Sequence, residues 1–350
     1  MLDLGADVVN LTAALVDIPS ESRHEQRIAD EVEAALRQLD HVQVTRFGNT
    51  VVARTDLGRA ERVVLGGHLD TVPAADNLPH RIDGDNLYGL GSNDMKGGVA
   101  VALRCAHELR EPSRDVTYVF YECEEIDDEA NGLRRLAEVH PEFLQADFAV
   151  LMEPSDAGVE AGCQGTLRAH VRTSGERAHS ARSWLGRNAI HAAADILNRL
   201  ERYTPRTPVI DGLTYREGMN AVGIEGGVAT NVIPDACEVT VNYRYAPDRS
   251  PQEALAHVHE VFDGYPLEVV DNSPGALPGL SHPAAQAFLK ATGAVPRPKF
   301  GWTDVSRFSA LGVPAVNFGP GDPSLAHTRG EYVPIEHLHR CEQQMLEWLR

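Results

Sequence analysis

Four short, unbroken apolar runs are the feature that most limits how this chain can fold. They are VVLGG (63–67), VTYVFY (116–121), FAVLM (148–152) and PAVNFG (314–319). Apolar runs of this length without alternation are typical of strands buried on both faces. Residues 8–18, 28–39 and 96–110 instead place apolar side chains at helical spacing. Strands alternating with helices predict an α/β domain whose central sheet is covered on both faces.

The middle of the chain has a different pattern. Residues 166–174 and 236–245 alternate polar with apolar side chains, which predicts half-exposed antiparallel strands. The stretch 188–200 between them has a helical period. A core-type strand at 314–319 and a helix at 334–349 then follow, so the small α+β unit is expected to be inserted into the first domain.

These patterns predict two domains. The first is discontinuous and covers residues 1–165 and 277–350, and the second is an insertion of residues 166–276. No internal repeat or low-complexity segment interrupts either part of the sequence.

Composition excludes several classes of partner and compartment. The 350 residues carry a formal net charge of −19, which argues against nucleic acid or an anionic membrane as a partner. The first 20 residues lack the basic start and apolar stretch of a signal peptide. Five cysteines without a CxxC pair favour a reducing cytoplasm over a disulfide framework. Cys123 is expected to be a buried thiol rather than a nucleophile.

An acidic run follows the second apolar run. The stretch VFYECEEIDDEANG, residues 119–132, has six acidic side chains among the eight positions from Glu122 to Glu129. Solvated surface is the simplest interpretation of such a run. The alternative is that some of these carboxylates face inward and take part in chemistry.

Imidazoles and carboxylates follow all four apolar runs. They are His68 and Asp70, then Glu124 and Glu125, then Glu153, and finally His327. In α/β sheets, ligands bind at the carboxyl ends of the strands. Two imidazoles and several carboxylates at that edge predict a zinc site of nitrogen and oxygen ligands, because like charges packed together need a cation.

Each residue also has a simpler interpretation. A lone HxD pair occurs by chance, and a loop histidine such as His327 is usually exposed. Glu153 could cap a helix, and NDMKGG (93–98) could be a turn with Asp94 near a helix N-terminus. A metal site explains histidines and carboxylates at four strand ends better than four independent chance occurrences do.

Five motifs carry a resemblance to a known enzyme family. They are GGHLDTVP (66–73), GLGSNDMKGG (89–98), ECEE (122–125), LMEPS (151–155) and AHTRGEYV (326–333). In order and spacing they resemble the di-zinc deacylases and exopeptidases of the aminoacylase/carboxypeptidase family, over nearly all of the chain. The resemblance implies a catalytic α/β/α sandwich with a mixed sheet, interrupted by an α+β lid domain that forms a homodimer.

The resemblance also implies two Zn²⁺ ions per chain, with Co²⁺ as an alternative. The residues that fall on the metal ligands are His68, Asp94, Glu125, Glu153 and His327. Asp94 would bridge the ions, Asp70 would orient His68, and Glu124 would be the general base.

The remaining acids of the run have no role in this scheme. Asp127, Asp128 and Glu129 are expected on the solvated face, and Glu122 is left open.

Further site residues are expected in and near the lid. His179 falls on a histidine that in this family reaches into the active site of the partner subunit. Arg244 and Asn231 fall on positions that contact substrate carboxylates, and Thr303 is a weaker candidate on the catalytic domain. Where relatives carry an arginine, this chain has AGCQGTL (161–167), which is a departure from the pattern.

The reaction that the resemblance implies is amide hydrolysis on a small molecule. The expected substrate is N-succinyl-L,L-diaminopimelate, an intermediate of lysine and diaminopimelate biosynthesis. Acetylornithine or a dipeptide would need the same metals and a different pocket. A zinc-binding relative without catalysis is the alternative outside the enzymes, although all five ligands and Glu124 are present.

Overall fold

The computed structural model describes residues 1–350 as nine α-helices and 19 β-strands. The helices are α1 Val8–Val16, α2 Gln26–Leu36, α3 Gly97–Glu108, α4 Gly132–Val139, α5 Ala189–Glu201, α6 Pro251–Val261, α7 Pro283–Thr292, α8 Val305–Ala310 and α9 Ile335–Leu349. Strands of the first half are β1 Gln43–Phe47, β2 Thr50–Arg54, β3 Arg62–His68, β4 Arg81–Asp83, β5 Asn86–Tyr88, β6 Asp115–Tyr121, β7 Phe148–Leu151, β8 Glu160–Ala161 and β9 Gly165–Ser174. Those of the second half are β10 Ala178–His179, β11 Val209–Ile210, β12 Leu213–Thr214, β13 Gly218–Gly226, β14 Val232–Ile233, β15 Ala236–Tyr245, β16 Leu267–Ser273, β17 Arg297–Pro298, β18 Ala315–Asn317 and β19 Tyr332–Pro334.

A mixed eight-stranded sheet lies at the centre of the first compact unit, which comprises Met1–Ala161, Pro278–Arg297 and Arg307–Arg350. Its strand order is β1-β2-β6-β3-β7-β18-β8-β17. Strand β3 is parallel to β6 and β7, and β7 is parallel to β18, whereas β2 is antiparallel to β6. The α/β class with a mixed central sheet is therefore confirmed.

The four apolar runs form β3, β6, β7 and β18. Every residue of β6 and β7 is buried, as is all of β3 after Arg62, so helices and loops cover both faces of these strands. Because the four strands are parallel, their carboxyl ends lie at the same edge of the sheet. The segments that begin at Leu69, Glu122, Met152 and Phe318 leave the sheet there.

Helix α3 packs unusually close to that edge. It starts at Gly97 and Gly98, and a Cβ at Gly98 would lie 2.0 Å from the backbone oxygen of Met152. Only glycine allows the first turn of the helix to approach the end of β7 in this way. None of the nine helices has the combination of length and apolarity that a membrane span requires.

The second compact unit comprises Gly162–Leu277 and Pro298–Ser306. Its antiparallel sheet has the order β13-β15-β9-β16, and α5 and α6 pack on one face. The sequence analysis predicted β9, β15 and α5 within one residue of their bounds. Helix α6 begins with a capping box of Ser250 and Glu253 and has Pro251 in its first turn, a standard helix start that the analysis did not include.

Alternation along β9 and β15 gives this sheet two different faces. The core beneath the helices includes Leu167, Val171, Val239, Val241 and Tyr243. The intervening side chains lie on the opposite face, which the helices leave open. Arg244 is on that face, half-buried.

One segment belongs to a different unit from the one that the sequence analysis predicted. Residues 298–306 were expected in the first domain, yet they belong to the second compact unit, and Thr303 is among them. They are held there by hydrogen bonds, since Trp302 Nε1 and Ser306 Oγ both donate to the backbone oxygen of Pro274. Thr303 was therefore assigned to the wrong unit.

Candidate metal centre

His68 ends β3 with almost no exposure to solvent. Its side chain is 1% exposed, and its Nε2 lies 3.1 Å from Oδ1 of Asp94. Nδ1 lies 3.0 Å from the backbone oxygen of Asp70 and 3.5 Å from the carboxylate Oδ1 of the same residue. Asp70 therefore lies against Nδ1 of the ring through its backbone oxygen and, at a longer distance, through its carboxylate.

The carboxylate of Asp70 also holds the start of the acidic run in place. Its Oδ1 accepts a hydrogen bond from the backbone N–H of Glu124 at 3.0 Å, and its Oδ2 accepts one from Glu125 at 3.1 Å. The hydroxyl of Ser22 donates to Oδ2 at 2.7 Å. Asp70 is fully buried, so these bonds fix the point at which the chain leaves β6.

His327 reaches the same place from the fourth strand end. Its Nε2 lies 2.9 Å from the carboxylate of Glu125 and 3.5 Å from Oδ2 of Asp94. His327 has a φ of +63° and a half-exposed side chain. The structure thus brings His68, Asp94, Glu125 and His327 together within one unit, with the carboxylate of Asp94 between the two imidazoles.

Glu153 follows β7 and is 5% exposed. Burial lowers the pKa of His68, whereas hydrogen bonds to Asp70 and Asp94 and the negative charge of Glu153 act to raise it, and the net shift is well upward. The fifth predicted ligand therefore lies near enough to act electrostatically on the first.

Charges within the cluster change its affinity for protons. Hydrogen bonds to Asp94 and Glu125 raise the pKa of His327 to about 10. Burial opposes ionisation of Asp94, but hydrogen bonds from both histidines hold its pKa well below the usual value. Burial raises the pKa of Glu125. The buried carboxylates thus favour positive charge at the positions of the two imidazoles.

The donor set fits a divalent cation of the zinc type. One donor atom each from His68, Asp94 and Glu125 lies within 4.8 Å of the other two, and His327 contacts two of these residues. Imidazole nitrogen with carboxylate oxygen is the mixture that zinc accepts. A cation at this point would replace the protons that the imidazoles otherwise hold.

The rest of the acidic run has structural partners. Glu122, which the sequence left open, is buried; it accepts from the backbone N–H of Asn49 and forms an ion pair with Arg135. Asp127 and Glu129 are exposed, as predicted.

Asp128 differs from the prediction. It is half-buried and forms ion pairs with Arg134 and Arg307, so a purely solvated position was wrong for this residue. Arg307 is distant in sequence, and the local pattern carried no sign of it.

Cys123 is a structural thiol. It is 4% exposed, and both its backbone N–H and its Sγ donate to Oε1 of Glu25, at 3.1 and 3.2 Å. Burial and that hydrogen bond raise the pKa of the Cys123 thiol to about 12, which disfavours the thiolate that a nucleophile needs.

Two carboxylates near the cluster were missed by the sequence analysis. Glu25 is fully buried and holds the chain between Glu122 and Glu124, as just described; its only local signal is a Ser-x-x-Glu spacing from Ser22. Glu331 accepts from the backbone N–H groups of Asn93 and Asp94. It lies inside a motif quoted for the resemblance, but no sequence pattern shows which distant backbone a carboxylate will contact.

The predicted lid residues all lie in the second unit. His179 and Asn231 are exposed and lie close to each other. His179 pairs with Val232 in a two-residue ladder, and the backbone N–H of Ser180 donates to the backbone oxygen of Asn231. Burial lowers the pKa of the Arg244 guanidinium. Thr303 is buried.

The fold and the cluster define the class of this protein. The sequence model of Peptidase family M20/M25/M40 matches residues 64–350, and the chain belongs to that family.

Relatives of known name fall within the same class. A Mycobacterium tuberculosis protein, named provisionally as a succinyl-diaminopimelate desuccinylase, is 60% identical, with 97% of this chain and 96% of the relative covered. The succinyl-diaminopimelate desuccinylase of Corynebacterium glutamicum is 51% identical over 96% of this chain and 94% of its own. An acetylornithine deacetylase from Myxococcus xanthus is 31% identical over 81% and 78% of the two chains.

Solved structures share the fold at lower identity. A tripeptidase from Staphylococcus aureus superposes with a TM-score of 0.78 at 23% identity, covering 100% of this chain and 98% of its own. A dinuclear metal binding peptidase of the M20 family from Bacillus subtilis gives a TM-score of 0.72 at 16% identity, with 97% and 96% covered.

Proposed function

We propose that this chain is a zinc-dependent amide hydrolase that releases succinate from N-succinyl-L,L-diaminopimelate, in lysine and diaminopimelate biosynthesis. The observation that carries the reaction class is the carboxylate of Asp94, held between His68 and His327 at the carboxyl ends of the parallel strands. The substrate is supported by two relatives, 60% and 51% identical over nearly the full chain, whose names state this activity. The five cysteines are all buried and free, which is compatible with a reducing cytoplasm.

The metal-binding residues proposed are the five ligands of the sequence analysis. Asp94 would be shared by two ions, and His68, Glu125, Glu153 and His327 would supply the remaining protein ligands. Bound zinc would polarise the amide carbonyl and lower the pKa of water.

Glu124 is the proposed general base. It takes a proton from the attacking water and delivers it to the leaving nitrogen, which becomes an amine. Its backbone is anchored through Asp70, and this limits the positions that its carboxylate can take. His179 of the partner subunit is proposed to donate a hydrogen bond to the carbonyl oxygen as negative charge develops there.

Arg244 and Asn231 are the proposed carboxylate-binding residues, with Thr303 as a weaker candidate. A guanidinium binds a carboxylate through two parallel hydrogen bonds, and Arg244 lies on the face of its sheet that the helices leave open. The succinyl group ends in a carboxylate, whereas an acetyl group offers none.

Metal content is the first test. Purified wild type loaded with zinc should bind two ions per chain, and His68→Ala or His327→Ala should lose one ion with most of the activity, because a site that loses a protein ligand loses affinity. Wild type that binds no metal under any loading condition would contradict the proposal.

Substrate choice is the second test. Zinc-loaded enzyme should hydrolyse N-succinyl-L,L-diaminopimelate with a higher kcat/KM than acetylornithine, because the half-buried Arg244 guanidinium would lack its carboxylate in the acetyl compound. Equal or better turnover of acetylornithine would favour the activity of the Myxococcus relative.

Arg244→Lys should lower kcat/KM for the succinyl substrate, since an ammonium cannot reproduce the paired hydrogen bonds. Arg172→Lys is the matched control: Arg172 lies on the same open face but is exposed and ion-paired with Glu238 and Glu268. If both variants lose the same activity, Arg244 has no special role in binding.

A homodimer is proposed through the second unit. Strand β13 is an edge strand, and it leaves Val222 and Ile224 62% and 51% exposed, with Val228 58% exposed just beyond it. An edge strand with exposed apolar side chains is prone to pair with a second copy.

A further inference from the structure

Glu331 is a buried carboxylate that ties two ligand segments together. It is 2% exposed and lies four residues after His327. Its Oε1 accepts hydrogen bonds from the backbone N–H groups of Asn93 and Asp94, both at 3.0 Å. The segments that carry the two ligands Asp94 and His327 are thereby joined through one side chain.

The segment around Asp94 depends on such partners because its backbone is irregular. The turn Ser92–Lys96 is neither a regular helix nor a strand at Asp94, where φ is −123° and ψ is 94°. Its N–H groups therefore have no partner in a ladder, and a buried N–H without an acceptor is costly. Glu331 supplies the acceptor for two of them.

Close packing reinforces the same junction. Asn93 is fully buried, and its Nδ2 donates to the backbone oxygen of Asp322 at 3.0 Å. A Cβ at Gly321 would lie 2.0 Å from Oδ1 of Asn93, so no larger residue fits there. Contacts from Gly321, Asp322 and Glu331 thus hold the segment that contains Asp94 in place.

A buried cation accompanies the carboxylate. Lys96 is 1% exposed, and its Nζ donates to the backbone oxygen of Ile18 at 2.8 Å. Burial lowers the pKa of Lys96 to about 7, and the negative charge of Glu331 acts against that shift.

We propose that Glu331 is a positioning residue for the metal centre: it fixes the backbone that aims the carboxylate of Asp94 between His68 and His327, and thereby sets the affinity for metal. This inference rests on the proposed metal centre. Glu331 itself contacts neither the metal nor the substrate; it acts through Asp94.

The test compares three variants of the full chain: Glu331→Ala, Glu331→Gln and Asp115→Ala. Asp115 is a matched control, because it is also a buried carboxylate, 3% exposed, that accepts two backbone N–H groups, those of Leu57 and Arg59 at 2.8 Å. It starts β6, at the opposite end from the acidic run. Each metal-free protein is titrated with Zn²⁺ against a chromophoric chelator at fixed pH, and thermal unfolding without metal is recorded in parallel.

Glu331→Ala should bind zinc about 10–100-fold more weakly, which is the usual effect of removing a residue that orients a ligand. Asp115→Ala should lose thermal stability but keep its zinc affinity within twofold. If Glu331→Ala does not fold, Glu331→Gln decides, because its amide replaces the charged acceptor of both N–H groups by a neutral oxygen, which accepts weaker hydrogen bonds. That variant should fold and still bind zinc more weakly than wild type.

Three results would overturn the inference. One is a zinc affinity within twofold of wild type for a folded Glu331→Ala, or for Glu331→Gln where the alanine variant does not fold. Another is an equal loss of affinity in Asp115→Ala, which would show an effect of general stability. The third is wild type that binds no zinc, which would also remove the proposed function, whereas the first two leave that function standing.

Discussion

At the scale of single residues, the positions of the adjacent Glu124 and Glu125 depend on one buried carboxylate. The backbone N–H groups of both donate to the carboxylate of Asp70, so neither can move without breaking a buried hydrogen bond. The carboxylate of Glu125 reaches His327 at 2.9 Å. The sequence alone predicted that these two acids face inward, but it could not show that Asp70 anchors both.

Glu124→Gln should keep the metal content and lose about 10²–10⁴-fold in kcat, because general-base catalysis contributes that much. Glu125→Gln should instead weaken metal binding. Glu129→Gln, an exposed member of the same run, is the control and should behave as wild type. Metal analysis and kcat would be measured on all three, and a reversal of the first two phenotypes would exchange their assigned roles.

Glu217 in the second unit makes stability depend on pH. It is buried, accepts from Arg206, Tyr243 and the backbone N–H of Ala246, and has Arg249 3.3 Å away. Burial raises the pKa of Glu217, but hydrogen bonds, first that from Arg206, lower it below 4.5 overall. The folded state therefore favours the charged form.

Glu217→Gln should lower the free energy of unfolding by about 1.5–3 kcal/mol at pH 7, the range for hydrogen bonds to a charged group. A lowered pKa stabilises the fold above the unfolded pKa and loses that effect as pH falls through the folded pKa. The difference from wild type, measured by urea unfolding, should thus shrink below about pH 4.5. A difference that stays constant from pH 7 to pH 3 would contradict this account.

At the scale of elements, strands buried on both faces were the easiest to predict. The runs that became β3, β6, β7 and β18 are apolar throughout, and the half-exposed β9 and β15 alternate cleanly. Strand β13 was not predicted, since its sequence GMNAVGIEG has three glycines and leaves Val222 and Ile224 exposed. When the apolar residues of a strand do not face a core, no local sequence pattern indicates the strand.

The close approach of α3 to the end of β7 gives a prediction about packing. Gly98→Ala would place a methyl group 2.0 Å from the backbone oxygen of Met152, so the helix or the strand end must move. We expect a loss of about 1–3 kcal/mol in unfolding free energy and weaker zinc binding, since Glu153 follows Met152 directly.

Gly218→Ala is the control for that experiment. Its nearest contact would be the Asn220 side chain at 3.7 Å, an ordinary distance, and its stability should change little. Thermal unfolding and zinc titration would be compared for both variants. Equal stability of the two would show that the contact with Met152 adjusts freely.

At the scale of the whole molecule, the proposed dimer gives a test of β13. Ile224→Lys should shift the protein towards monomer in analytical ultracentrifugation, because a charge would face the pairing edge of the partner. Val295→Lys is the control, since Val295 is 82% exposed in the first unit. A monomeric wild type at micromolar concentration would exclude the dimer.

Action of His179 across the dimer predicts complementation. A mixture of His179→Ala and Glu124→Gln chains, exchanged into heterodimers, should contain some sites with both groups intact and regain activity. If stable heterodimers form and remain as inactive as either parent, His179 does not act in trans.

A feature of the site was predictable when the residues that form it lie close together in the sequence. Candidate ligands at the strand ends were visible because they follow apolar runs that any reader of the sequence can find. The hydrogen bonds that Glu331 accepts from Asn93 and Asp94, and that Glu25 accepts from Cys123, were not visible, because nothing local encodes them. A candidate ligand can therefore be identified from the nearby sequence, whereas the distant residues that hold it in position cannot.

The interrupted first unit has a consequence for protein synthesis. A ribosome makes His68, Asp94, Glu125 and Glu153, then residues 162–277 of the second unit, and only later His327 and Glu331. Domains fold as units while the chain emerges, so the second unit can form before the first is complete. A nascent chain that has reached residue 300 cannot assemble the cluster. Translation of the final segment therefore determines when the complete set of proposed ligands first comes together.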